Sequence, residues 1–423
     1  MDHVPVRPGD RQLMKEWNIG LVLDMLRSHE PVSRVDLARL TGLGRSTISG
    51  IVGRLQREGL IDEVGSAPEG GAGRRKVLLR LKAQALAVAG IKLGPAGISV
   101  SLTDLCAEPL VSLTRPLLQE AEGEGVVADI ADAVRTLIDQ SGVDPGRVLG
   151  AGLVVPGVVD PTTGTSLNSY FPHWRDIPLR HLLEEQLGLP VMVDNDANAV
   201  GLAEHRFGAG RGVNQMLGIT VGVGVGAGLI VDGQLYRGHK NGAGELGHVV
   251  LDPEGPRCAC GKNGCLEALA GDRTLVANAV AAIAAGRATA IAPLAGSPDR
   301  ITREIIIAAA AAGDQLARDL LRQAGEWLGR GAAGAVNLLS PARIVLSGEA
   351  ALQAGNLLLE PFRQSLARWV FAPLEGVDVV LGQLGTAAWV RGAAALVVDK
   401  AFQVTLDDGP ADTFALPGRV GGT

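Results

Sequence analysis

The sequence predicts an α/β protein in two parts, an N-terminal winged helix-turn-helix and a larger body of two lobes. Three observations predict it. Residues 1–82 run as helix, helix, turn, helix and Gly-rich hairpin, in that order. From Leu86 onward, strand-like and helix-like segments alternate. Two Gly-rich hairpins of similar plan, GIKLGPAGISV at 90–100 and QMLGITVGVGVGAGLIVDGQLYRG at 215–238, stand one early in each half of that body. Such a pair reads as a duplication with a cleft between the halves.

In the first segment, KEWNIGLVLDMLRS (15–28) places Ile19, Val22, Leu23 and Leu26 on one helical stripe. SRVDLARLTGLG (33–44) opens with a Ser-x-x-Asp start signal at Ser33 and Asp36, buries Leu37, Ala38 and Leu40, and turns at Thr41-Gly42-Leu43. RSTISGIVGRLQREG (45–59) buries Ile48, Val52 and Leu55 and leaves Arg45, Ser46, Thr47, Ser49 and Gly50 on the other face. Short polar groups beside one Arg suit a recognition helix, because they let the backbone sit deep in a major groove. LIDEVGSAPEGGAGRRKVLLRL (60–81) then reads as strand, hairpin and strand, with Arg74 and Arg75 placed to reach phosphates or a minor groove. A three-helix protein-interaction module is the alternative that the same pattern allows.

Charge follows this division. Residues 1–82 carry 14 Lys+Arg against 10 Asp+Glu, a balance of +4, and the rest of the chain carries 25 against 35. A basic first segment on an acidic body fits one end meeting a polyanion. With 423 residues, 47% of them apolar, the chain is long enough for two or three cored domains. It has no apolar run of about 18 residues, and its N-terminus lacks a signal-peptide pattern, so a cytoplasmic protein without a membrane partner is expected.

Within HVVLDPEGPRCACGKNGCLE (248–267), Cys258, Cys260 and Cys265 form a Cys-x-Cys-x4-Cys array, with His248 ten residues upstream. Three thiolates and one imidazole suit a structural, tetrahedral Zn2+ with no open position. A disulfide or unrelated buried thiols are the alternatives, and a reducing compartment disfavours the first. Nearby, Asn195, Asp196, Glu245 and Glu267 add carboxylates and an amide of the kind that accepts from the hydroxyls of a sugar. A site built so rejects ligands lacking those hydroxyls, because its polar groups would stay unpaired.

The motifs NDAN (195–198), GELGH (244–248) and CACGKNGCLE (258–267), behind a winged helix, resemble the ROK family of repressors and sugar kinases, from about residue 12 to 400. The resemblance implies an actin-like (sugar kinase/ribonuclease H-like) ATPase fold. It also implies sugar contacts at Gly157, Asn195, Asp196, Glu245, His248 and Glu267, with His248 offering one ring nitrogen to zinc and the other to the sugar. The implied boundaries are 1–82 for the winged helix, 83–200 for a first lobe completed by a helix near 385–402, 201–384 for a second lobe, and 403–423 for a polar tail. In family kinases the residue matching Asp196 is the base, and the first hairpin reads Asp-x-Gly-Gly-Thr-Lys.

This chain departs at that hairpin, where Lys92, Gly94, Pro95, Ala96 and Gly97 stand instead. A cation replaces the Mg2+-side carboxylate, and Pro95 removes a backbone N–H from a phosphate cradle. Val223 also stands where kinases tend to have Thr. The expectation is therefore a sugar-responsive transcriptional regulator, a repressor and not an enzyme. It would bind operator DNA as a homodimer or dimer of dimers and sense a sugar or sugar phosphate. An active ATP-dependent sugar kinase, with Asp196 as base and an accessory DNA-binding domain, is the rival.

Overall fold

The computed structural model describes residues 11–68, 75–117, 124–169, 171, 173–374 and 376–402. Arg74 and the tail expected at 403–423 lie outside them. Helix α1 (Arg11–His29) is followed by β1 (Val32–Ser33), α2 (Arg34–Thr41), α3 (Arg45–Arg57), β2 (Ile61–Pro68) and β3 (Arg75–Leu81). The Ser33 hydroxyl starts α2 as expected, accepting from the Asp36 N–H at 3.2 Å and donating to the Asp36 carboxylate at 2.6 Å. Gly42 ends α2 with φ +72°, a conformation that costs little only for glycine. Leu23, Leu26, Leu37, Ile48, Val52 and Leu55 are fully buried among these helices. Leu40 is not part of that core; it lies 38% exposed in the last turn of the eight-residue α2, beyond the apolar side that covers Leu37. The sheet order β1-β3-β2, with Pro68 paired to Arg75, makes the wing.

The chain then continues through β4 (Ala87–Gly94), β5 (Gly97–Thr103), β6 (Pro109–Arg115), α4 (Glu124–Ser141), β7 (Val148–Val155), β8 (Val158–Asp160), β9 (Thr165–Asn168), β10 (Arg175–Ile177), α5 (Leu179–Leu187), β11 (Val191–Asn195) and α6 (Asp196–Phe207). Next come β12 (Met216–Val221), β13 (Val225–Val231), β14 (Gln234–Tyr236), α7 (Leu266–Ala270), α8 (Asp272–Ala284), α9 (Ile291–Ala295), α10 (Arg303–Ala311) and α11 (Gln315–Leu339). Last are β15 (Arg343–Ser347), α12 (Glu349–Ala354), α13 (Asn356–Trp369), β16 (Asp378–Leu381) and α14 (Ala387–Phe402).

Two five-stranded sheets share one plan, β11-β7-β4-β5-β6 and β16-β15-β12-β13-β14. Each holds an antiparallel three-stranded meander opened by a Gly-rich hairpin, followed by two further strands on the same side. That is the duplication read from the paired hairpins. No helix among the described residues is long and apolar enough to cross a membrane.

The described residues fall into two compact units, one within 11–153, 178–193 and 393–402, the other within 154–177 and 194–392. The division differs from the sequence boundaries in that 154–177, 194–200 and the start of the C-terminal helix, 385–392, belong to the second unit. The reason is packing: α6 lies on β12 and β13, and Asn195 at its start is bonded to Gly157. In the first unit, the buried Arg27 of α1 pairs with Asp24 at 2.8 Å and with Asp399 of α14 at 2.7 Å, and stacks on Phe402.

Candidate functional site

The second unit gathers the cysteine array into one cluster. The donor atoms of His248, Cys258, Cys260 and Cys265 all lie within 4.8 Å of one another. Cys258 Sγ is 3.6 Å from His248 Nδ1, and Cys260 Sγ is 3.5 Å from Cys265 Sγ. A tetrahedral ion with metal–sulfur bonds of about 2.3 Å needs edges near 3.8 Å, so four soft donors at this spacing fit a metal. Backbone bonds from Cys258 N–H to Lys262 C=O and from Gly261 N–H to Cys258 C=O wind the loop around them. Gly264, at φ +65°, lies so close to the Asp252 carbonyl that a side chain there would collide with it.

The residues expected to grip hydroxyls come together in the same unit. Asn195 caps α6, its Oδ1 accepting from the N–H groups of Ala197 and Asn198 at 2.8 and 3.0 Å, while its Nδ2 donates to the Gly157 carbonyl at 2.8 Å. Its first work is therefore structural: the cap places Asp196 at the head of the helix. Glu245 precedes a 3-10 turn over Leu246–His248, which sets its Oε2 3.7 Å from His248 Nε2. Partial burial pushes the Glu245 carboxyl above its usual range; His248 opposes the shift, while Asp196 and Glu267 add to it. Three carboxylates thus share one neighbourhood. Glu267 bridges two segments, accepting from the Val225 N–H at 3.2 Å and standing 3.9 Å from Cys258 Sγ.

The two glycine hairpins differ in their tips. In the first unit, Gly94 pairs with Gly97 across a two-residue Pro95-Ala96 turn, and the Lys92 side chain runs forward beside Gly94. In the second, Val223 is 60% exposed at the tip, and the Gly222 carbonyl is taken by the Asp272 N–H at 3.2 Å. Asp272 in turn accepts from Arg303, which also meets Glu304 and Glu349.

On the winged helix, Arg45, Ser46, Thr47 and Ser49 are all exposed along the first half of α3, and Arg75 is exposed at the start of β3. Sequence reasoning missed Asp194 and Arg237. Asp194 is buried, and its Oδ2 takes two bonds from Arg237, at 2.9 and 2.6 Å. A carboxylate beside the NDAN motif was the available signal; its partner is 43 residues away, and spacing does not reveal it.

Comparison with known proteins agrees with these features. The sequence model of the ROK family matches residues 88–400, and that of the MarR family matches residues 20–74. A xylose repressor of Caldicellulosiruptor bescii is 30% identical over 391 residues, covering 92% of this chain and 97% of the relative. A crystal structure of a ROK family transcriptional regulator, a homolog of the E. coli MLC protein, superposes with a TM-score of 0.81 at 28% identity, covering 93% of this chain and 97% of that one. A ROK family glucokinase from Streptomyces griseus, in complex with glucose and AMPPNP, has a TM-score of 0.66 at 35% identity and covers 73% of this chain and 98% of its own. The fold is a MarR-like winged helix followed by an actin-like sugar-kinase fold, and the chain belongs to the ROK family.

Proposed function

We propose that this chain is a sugar-responsive, DNA-binding transcriptional repressor whose body binds a sugar or sugar phosphate and transfers no phosphate. The reading rests above all on one coexistence: an exposed polar face on α3 in the same chain as a carboxylate and His cluster fit for hydroxyls. Its similarity over nearly its whole length to a xylose repressor supports the same reading.

Arg45, Ser46, Thr47 and Ser49 would meet base edges, and Arg74 and Arg75 phosphates. Two copies with recognition helices about 34 Å apart would read a palindromic operator, as a homodimer or dimer of dimers in the cytoplasm. Gly157, Asn195, Asp196, Glu245, His248 and Glu267 would hold the effector. His248, Cys258, Cys260 and Cys265 would hold Zn2+, which supplies a rigid anchor for the ring of His248. A coupling of about 1–3 kcal/mol between effector and operator gives roughly 5–150-fold relief.

The kinase reading is favoured by Asp196 and by similarity to the glucokinase. Lys92 and Pro95 weigh against it: the cation opposes Mg2+, and the imino acid offers no N–H to phosphate. Operator mobility shift over a panel of pentoses, hexoses and amino sugars, run beside a coupled ADP-release assay, separates the two. Relief of binding by one sugar without turnover is expected. Turnover that vanishes in Asp196→Asn would establish the kinase instead.

A further inference from the structure

The loop 237–243, RGHKNGA, has no part in either the metal cluster or the hydroxyl-binding set, yet it is bonded to both neighbours of that set. Asp194 is 2% exposed and fully satisfied. One carboxylate oxygen accepts from the Asn195 N–H at 2.7 Å and from Asn198 Nδ2 at 2.9 Å; the other accepts from Arg237 Nε at 2.9 Å and Nη2 at 2.6 Å. Asp194 thereby fixes the turn that presents Asn195 and Asp196. Arg237 directly follows β14, and its carbonyl accepts from the Ala243 N–H at 3.0 Å, closing the loop immediately before Gly244 and Glu245. At the loop's far side, Asn241 Nδ2 donates to Asp160 Oδ1 at 3.3 Å, and Asp160 ends the short strand that begins one residue after Gly157.

These bonds form a ring of three segments distant in sequence. Asn195 is tied to Gly157, Asp160 to Asn241, and Arg237 to Asp194. All of them lie in the second unit. Glu245 and the 3-10 turn Leu246–His248 follow the loop's C-terminal end after Gly244, whose carbonyl accepts from the Ala227 N–H of β13 at 3.0 Å, so the loop and β13 together bound the segment that carries Glu245 and His248. Binding constellations work only when held within roughly half an ångström, which requires supports whose own geometry is locked. A buried carboxylate receiving two fork-arranged guanidinium donors is such a lock, and a lysine cannot reproduce it.

We propose that the loop 237–243 is a positioning strap for the effector site: through Arg237 on Asp194 and Asn241 on Asp160, it sets Glu245 and His248 against Asp196 and Gly157. Arg237, Asn241 and Asp194 are positioning residues here. The inference rests on the effector-site reading above.

The test is calorimetric titration of the full-length, metal-loaded chain with D-xylose, D-glucose and N-acetyl-D-glucosamine. Wild type is compared with Arg237→Lys, Asn241→Ala, Asp194→Asn and the Asp194→Asn/Arg237→Lys double variant. Metal content, thermal midpoint and sugar-free operator affinity are measured alongside. Arg237→Lys is expected to weaken the bound sugar at least tenfold, with one metal per chain and operator affinity within twofold of wild type. The double variant is expected to lose no more than the worse single, because the pair acts as a unit. Arg237 and Asn241 reach solvent, so their variants carry the test where Asp194→Asn does not fold. Variants that bind sugar as wild type does, below their thermal midpoints, would reduce the strap to a brace of the fold and overturn the inference. Wild type binding none of the three sugars would overturn the effector reading itself, and this inference with it.

Discussion

His248 presents its Nε2 to Glu245 Oε2 at 3.7 Å while its Nδ1 faces Cys258 Sγ at 3.6 Å. One imidazole therefore stands between the three thiols and the carboxylates, and its orientation is shared by the two. When Nδ1 is held by a cation, Nε2 is fixed as the ring's other contact and can meet a hydroxyl.

Cys260→Ser tests that sharing. Replacing one of four soft donors is expected to cost the metal, and the sugar response should fall with it because His248 and Glu267 lose their common anchor. Metal analysis and operator release by sugar are the two readings. Full sugar response in a metal-free variant would separate the two functions of the ring.

Ser33→Ala addresses the start of the reading head. The hydroxyl caps α2 and also donates to Asp36, so its loss should destabilise the winged helix by about 1 kcal/mol. The Ser33 bond is also the main reason the Asp36 carboxyl is held below its usual range, with Lys76 and Arg39 assisting. A depressed carboxylate contributes stability above its unfolded value and loses it as pH falls through the folded one. The deficit of the variant should therefore be largest at neutral pH and narrow below about pH 4. A deficit that grows on acidification would contradict the assigned bond.

Local chemistry made much of this legible. The Ser-x-x-Asp start, the Gly42 turn and the apolar stripe from Ile19 to Leu26 each depend on neighbours within a few residues, and each stands where the sequence places it. The Cys/His cluster was readable for the same reason: its four donor residues lie close in sequence, with glycines to bend the chain between them. What escaped was long-range pairing. Nothing near Asp194 announces Arg237, and nothing in NDAN says that the Asn195 amide nitrogen donates to the Gly157 carbonyl. The allocation of 154–177 to the second unit likewise depends on which sheet α6 covers, a tertiary choice.

Asp399→Asn concerns the seat of the winged helix. Arg27 is 6% exposed and Asp399 15%, and Asp24 is the other partner of the guanidinium. Removing one of its two anions leaves the buried guanidinium with Asp24 alone, so the cost should be about 1–2 kcal/mol, below that of stripping a buried charge of its whole pairing. Limited proteolysis should release the N-terminal segment sooner than in wild type, and the thermal midpoint should drop. Unchanged cleavage kinetics would mean that α1 is held by apolar contacts alone.

Arg45→Ala and Arg75→Ala distinguish reading from holding. Arg45 opens α3 on its exposed side, where a guanidinium can present two N–H donors to a guanine edge. Its loss should cost about 1–3 kcal/mol on the preferred operator and far less on altered ones, so base preference relaxes. Arg75 stands at the exposed start of β3, beside the wing. A phosphate contact there carries no sequence information, so its removal should weaken all duplexes alike. It should also lower the slope of log affinity against log salt by about one contact's worth. Binding isotherms at several salt concentrations, on a selected operator and on scrambled DNA, measure both effects at once. An Arg75→Ala slope equal to that of wild type would take the wing off the phosphates, whatever happened to base preference at Arg45.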